Sequence, residues 1–129
     1  MSKQQILVPI TALSAALVLC VTAFAASRTT KEGAFTDAQA ERGKAVYEKS
    51  CKNCHQPEFY TEKLGRYQGQ PLTAIFETMS TTMPADNAGA LATSEYVDVL
   101  AYVLSITGST AGKDELSTEA MDGIVIAKP

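Results

Sequence analysis

At 129 residues the chain holds one domain at most, besides whatever its termini add. A formal charge of -3 implies no polyanionic partner, which argues against a nucleic-acid-binding role. Of its three cysteines Cys20 lies in an apolar leader, so only Cys51 and Cys54 remain in the body, too few for a disulfide framework.

From Gln4 to Ser27 no residue is charged, and Ile6 to Ala26 is rich in Leu, Val and Ala behind a single Lys3. This reads as an export signal over residues 1–25. The small residues of Ala23-Phe24-Ala25 place the cut after Ala25, or after Ala26 one residue on. The stretch exceeds the usual apolar region of about 7–15 residues and is just long enough to span about 30 Å of hydrocarbon, so an uncleaved anchor is the competing reading. Lipidation at Cys20 is a minor alternative, because Leu19 is bulky for the position before a lipidated cysteine. Under each reading the body is delivered across a membrane. Cleavage removes Lys3 and leaves 10 basic against 14 acidic residues, a charge of -4. Arg28 to Arg66 carries eight basic and six acidic residues, whereas from Tyr67 onward only Lys113 and Lys128 face eight acids. That asymmetry is either ordinary solvated surface or a dipole that orients docking.

Residues 26–35 are short, polar and without periodicity, and read as a tether. A helix is predicted from Thr36, where Thr36-Asp37-Ala38-Gln39 has the form of a capping box and Asp37 and Glu41 suit the first turn. It runs through Gly43, Val46 and Tyr47 to the cysteines. Glycine inside a helix costs about 1 kcal/mol relative to alanine, and close approach of a second helix is the natural reason for it.

The helix leads into Cys51-Lys52-Asn53-Cys54-His55. Two thiols three apart, followed at once by histidine, match the attachment site of a covalent c-type haem. On one turn the cysteines reach the two vinyl groups of the porphyrin, and the histidine arrives beneath the ring as an axial ligand. Zinc, a thioredoxin-like redox pair and a simple disulfide compete. Zinc needs about four ligands, and no cysteine or histidine follows residue 55. A redox C-x-x-C belongs in a βαβ setting, and no strand-like alternation precedes Cys51.

Between Gln56 and Gln70 the pattern weakens, with Pro57, Gly65 and Gly69 as breakers. Phe59, Tyr60, Leu64 and Tyr67 are available there to wall a haem or fill the core. Pro71 suits the first position of a short amphipathic helix with Leu72, Ile75, Phe76 and Met79 on one face. Ser80-Thr81-Thr82-Met83-Pro84 reads as a polar loop. After residues 86–92, Thr93 or Ser94 is placed to cap a helix that is apolar around most of its circumference from Tyr96 to Ile106, with Gly108 as its stop. The tail, residues 109–129, is polar until Met121, Ile124, Val125 and Ile126, a cluster that either docks on the domain or meets a partner. No internal repeat, phosphate-binding loop or nucleophile–base pair is present.

Over Thr36 to Gly108 the chain resembles the small class I c-type cytochromes of bacterial periplasms. The likeness rests on the haem-attachment pentapeptide, on Gly43 and Tyr47 before it, on Met83-Pro84 after it, and on Leu100-Ala101-Tyr102 in the last helix. Tyr96 to Leu104 is similar to cytochromes that serve periplasmic dehydrogenases.

The resemblance implies an all-α, cytochrome c-like fold of three to four helices around one haem. Its first and last helices cross at a glycine and aromatics, a role that falls to Gly43, Tyr47 and Tyr102. It implies iron held by His55 and Met83, with Cys51 and Cys54 attaching the haem, Met79 as the rival ligand and Met121 a weaker one. Two departures stand out: a short connection from His55 to Met83, and Glu62-Lys63 where a Gly-Pro pair is expected before Leu64. The carbonyl that supports the proximal histidine is thereby left open.

The function implied is an electron carrier, not an enzyme. It takes single electrons from a periplasmic dehydrogenase or quinol-oxidising complex and passes them to another cytochrome or a terminal oxidase. The alternatives are a fixed haem subunit of a dehydrogenase or membrane complex and, from another class, an open-site haem enzyme or gas sensor.

Overall fold

The computed structural model describes residues 27–129, so the leader with its three readings lies outside the described residues. Among the described residues no helix is long and apolar enough to cross a membrane. The architecture is helical: α1 (Asp37–Ser50), α2 (Pro57–Arg66), α3 (Leu72–Thr82) and α4 (Thr93–Ile106), with a 3-10 helix (Thr118–Gly123) and one small strand pair.

Helix α1 starts where the side chains direct it to. The Thr36 hydroxyl accepts from the Gln39 N–H at 3.2 Å, satisfying one of the free donors of the first turn. The capping box is only half made, because the Gln39 carboxamide, 2% exposed, turns inward instead. It donates to the Leu116 carbonyl at 2.9 Å and accepts from the Leu116 N–H at 2.8 Å, as a strand neighbour would. The tail outcompetes the cap for that side chain.

Helix α4 is the centre of the core, with Tyr96, Val97, Val99, Leu100, Ala101, Val103 and Leu104 all buried. Its N-cap is Ala92, so neither Thr93 nor Ser94 caps it as expected. The Glu95 carboxylate accepts from the Ala92 N–H at 2.8 Å and does that work from inside the first turn. Helices α1 and α4 cross at Gly43. Arg42 beside it forms a fork onto Asp98 at 2.9 and 3.1 Å and reaches Glu115 at 2.8 Å, tying both helices to the tail. Tyr47 and Tyr102 pack one turn further on, with ring centroids 5.0 Å apart.

The weakly patterned stretch after His55 is helical. Pro57 sits in the first turn of α2, where its missing N–H costs nothing, and Gly65 falls in the last turn with open space around it. The breakers therefore mark the ends of a helix that buries Tyr60 and Leu64, four residues apart. Helix α3 has Pro71 as its N-cap, one position before the predicted place, and runs on through Ser80, Thr81 and Thr82. The predicted polar loop is helical because its hydroxyls bond back to the preceding turn. Thr81 donates to the Glu77 carbonyl and Thr82 to the Thr78 carbonyl, each at 2.6 Å.

The segment read as a tether is tied to the domain, and of the two readings of the tail the structure has the docked one. Strand β1 (Arg28–Thr29) pairs in parallel with β2 (Ile124–Val125). Ala34, Phe35, Leu116, Met121, Ile124 and Ile126 are all buried. Ile126 also exchanges hydrogen bonds of 2.9 Å with Gly69 and Gln70, so the tail grips the connection between α2 and α3. The hydrophobic cluster of the tail docks on its own domain.

Candidate haem site

The cysteine turn is built on the end of α1. Its C-cap is Cys51, and the Tyr47 carbonyl accepts from the N–H groups of both Cys51 and Lys52 at 2.9 Å. The Cys51 carbonyl in turn accepts from Cys54 and His55, at 3.1 and 2.9 Å, which winds the pentapeptide into a single turn. The Tyr47 hydroxyl then donates to the His55 carbonyl at 2.7 Å. One residue of α1 thus fixes both ends of the motif. Cys51 and Cys54 form no disulfide with each other; Cys54 is exposed and Cys51 half-buried. No cluster of three or more His, Cys, Asp and Glu side chains forms among the described residues, so the zinc reading finds no ligand set.

The His55 ring stacks on Phe59 of α2, with centroids 4.4 Å apart and planes 23° from parallel, and meets Tyr60 edge-on at 6.0 Å. Where the family's Gly-Pro pair is missing, the imidazole is oriented by aromatic packing. Among the described residues no carbonyl accepts from it. Tyr60 joins Tyr47 in the same cluster, with centroids 5.9 Å apart. Burial drives the Tyr60 hydroxyl pKa well above its ordinary value and raises that of Tyr47.

These residues face a cleft of about 760 Å³, within the range of roughly 300–1,000 Å³ common for cofactor sites. Cys51, Cys54 and His55 line one side of the chain's contribution, Met79 and Met83 come from the end of α3, and Ile75, Leu100 and Val103 are among the apolar residues of the wall. All four residues singled out for haem binding therefore border one cavity, and so does the rival, Met79. Met121 does not: it is fully buried in the core beneath the tail. A second hollow, of about 490 Å³ beside Arg42, Asp98 and Glu115, contains none of these groups. Two thiols, an imidazole and thioethers around a mostly apolar cleft, with Lys49, Lys63 and Asp86 also on its lining, suit a large flat apolar group carrying a metal, so the residues present fit a haem.

Met83 is the C-cap of α3, its N–H bonded to the Met79 carbonyl at 3.0 Å. Its own carbonyl accepts from the Tyr96 hydroxyl at 2.5 Å and from the Gly89 N–H at 3.1 Å. In the sequence Tyr96 stands out only as one more apolar residue of α4. The available signal was its hydroxyl, since a buried tyrosine needs a partner for it.

Four helices around an apolar cleft, crossed at Gly43 and closed by a Cys-x-x-Cys-His turn, define a class I c-type cytochrome domain. The chain belongs to the family described as cytochrome c oxidase, cbb3-type, subunit III, whose model matches residues 38–103, half of the chain. Comparisons with curated proteins and with solved structures gave no match. A domain of this class carries covalently bound haem c and works by electron transfer with redox partner proteins.

Proposed function

We propose that the protein is a periplasmic mono-haem cytochrome that passes single electrons to a downstream cytochrome or terminal oxidase, with its iron closed off by the chain on both faces. Cys51 and Cys54 would hold the haem by thioethers, and His55 and Met83 would ligate its iron. The observation that carries this reading is the one cleft bordered by all four of these residues. Bound there, haem supplies a reversible one-electron couple, and a thioether ligand favours the reduced form and raises the potential. The chain's part is to hold geometry and exclude water. Tyr47 and Phe59 fix the His55 side, Tyr96 and Gly89 fix the Met83 backbone, and Ile75, Leu100 and Val103 contribute to the apolar wall. With His55 and Met83 both on the iron, substrate would have no place there.

The donor in this reading is a periplasmic dehydrogenase or quinol-oxidising complex. A second reading, a fixed haem subunit of a membrane complex, is favoured by the family's description as an oxidase subunit. Mild solubilisation of membranes from cells producing the tagged chain separates the two. A carrier is recovered alone in the soluble periplasmic fraction, with one haem per chain by mass. A fixed subunit stays with the membranes and co-purifies with catalytic subunits at constant ratio.

A further inference from the structure

Tyr96 lies in the first turn of α4 and is 3% exposed. Its hydroxyl donates to the Met83 carbonyl at 2.5 Å and accepts from the Leu91 N–H at 3.4 Å. Behind it, α4 is locked against α1 at Gly43 and through the Arg42–Asp98 fork. The rest of Met83's backbone is held by lighter attachments. Its N–H belongs to the last turn of α3, and its carbonyl's other donor, Gly89, sits in the exposed, irregular segment before α4. One hydroxyl therefore links the Met83 backbone to the helix pair that crosses at Gly43.

We propose that Tyr96 is a positioning residue that keeps the Met83 thioether in the cleft against competing ligands, by fixing the Met83 carbonyl to α4. The inference rests on Met83 being the sixth ligand. An outside ligand can reach the iron only when Met83 leaves it, and such departure moves the backbone that Tyr96 holds. The hydrogen bond is present in the closed state and lost in the open one. A net neutral hydrogen bond then lowers the open fraction about fivefold. The apparent affinity for an outside ligand scales with that fraction.

Imidazole titration of the ferric holoprotein tests this, in wild type and in Tyr96→Phe, Met83→Ala and Thr107→Val. Tyr96→Phe removes one oxygen and leaves the Met83 carbonyl its Gly89 donor, so the fold is kept, as far-UV circular dichroism will confirm. Thr107→Val removes a buried hydroxyl at the far end of the same helix, where it serves only the Val103 and Leu104 carbonyls. Tyr96→Phe is expected to keep the methionine-to-iron band without imidazole, yet to bind imidazole about fivefold more tightly. The limiting rate of imidazole entry, set by Met83 departure, should rise. Thr107→Val should match wild type. Wild-type affinity and rate in Tyr96→Phe, with the band abolished in Met83→Ala, would overturn the positioning role while sparing the ligand assignment. Retention of the band in Met83→Ala would overturn the assignment itself, and the proposal with it.

Discussion

Gly43 of α1 lies so close to Asp98 of α4 that a Cβ built on it falls 1.8 Å from the Asp98 carbonyl oxygen and 2.4 Å from its carbon. No rotamer change relieves such a clash, because the obstacle is backbone. Gly43→Ala gains about 1 kcal/mol in helix propensity, but the helices must separate, and overpacking of that kind costs about 1–3 kcal/mol or more. A net loss of stability is expected, read as a lower denaturation midpoint, with the Tyr47–Tyr102 contact loosened. A midpoint at or above wild type would contradict the crossing described.

Met121 separates core from ligand. It is fully buried beneath the tail and does not border the cleft. Met121→Ala should therefore cost about 2–5 kcal/mol of stability, measured by denaturant titration, while leaving the ferric spectrum unchanged. A spectral change at constant helix content would mean that this methionine has a part at the iron.

Haem removal should unfold the protein. Without haem the apolar wall formed by Ile75, Leu100 and Val103 loses its packing partner and faces water, and a domain of this size is marginal on apolar burial alone. Chain carrying Cys51→Ala and Cys54→Ala, produced without haem, is expected to show little helical circular dichroism and no cooperative thermal transition. A cooperative transition with native helix content would show that the tail and helices suffice alone.

The acid limb of stability involves the β1 turn. Glu32 accepts from the Thr29 N–H at 2.6 Å and from the Thr29 hydroxyl at 2.9 Å. The backbone hydrogen bond, then the hydroxyl, holds the carboxyl pKa below the usual carboxylate range. A group whose pKa is lower folded than unfolded stabilises the fold above its unfolded pKa, and that contribution is lost as pH falls through the folded value. The site is exposed, so the effect is small. The thermal midpoint of Glu32→Gln should be lower than wild type near neutrality and should converge with it in acid; parallel curves would remove Glu32 from the account.

Much of this was legible in the residues, for reasons that differ from place to place. The pentapeptide Cys51 to His55 names its chemistry because thioether attachment and axial ligation need those atoms in that order. Gly43 was legible as an anomaly, a costly residue in a helix that only a close crossing explains, and α4 approaches it as expected, at the Asp98 backbone. Helix α2 was hidden because Pro57 and Gly65 occur at the ends of a helix as readily as between helices, and only Tyr60 and Leu64 mark its buried face. The end of α3 was hidden by Thr81 and Thr82, whose hydroxyls favour loops until they find a carbonyl one turn back. The strand pairing of tether and tail was illegible because its two halves lie at opposite ends of the domain. Arg28 and Thr29 pair with residues nearly a hundred positions away, and no local pattern carries such a partnership. Tyr96 was hidden because its partner, the Met83 carbonyl, lies thirteen residues back in the chain.

The account turns on an iron closed by His55 and Met83 within the cleft that α3 and α4 line. The most direct test is the ferric absorption spectrum of the purified holoprotein, with its weak methionine-to-iron band, repeated on Met83→Ala and Met79→Ala. The band is expected in wild type and in Met79→Ala and should be absent from Met83→Ala. A band that survives Met83→Ala and vanishes in Met79→Ala would move the sixth ligand one helical turn back, and its absence from wild type would leave the iron open and contradict the carrier reading.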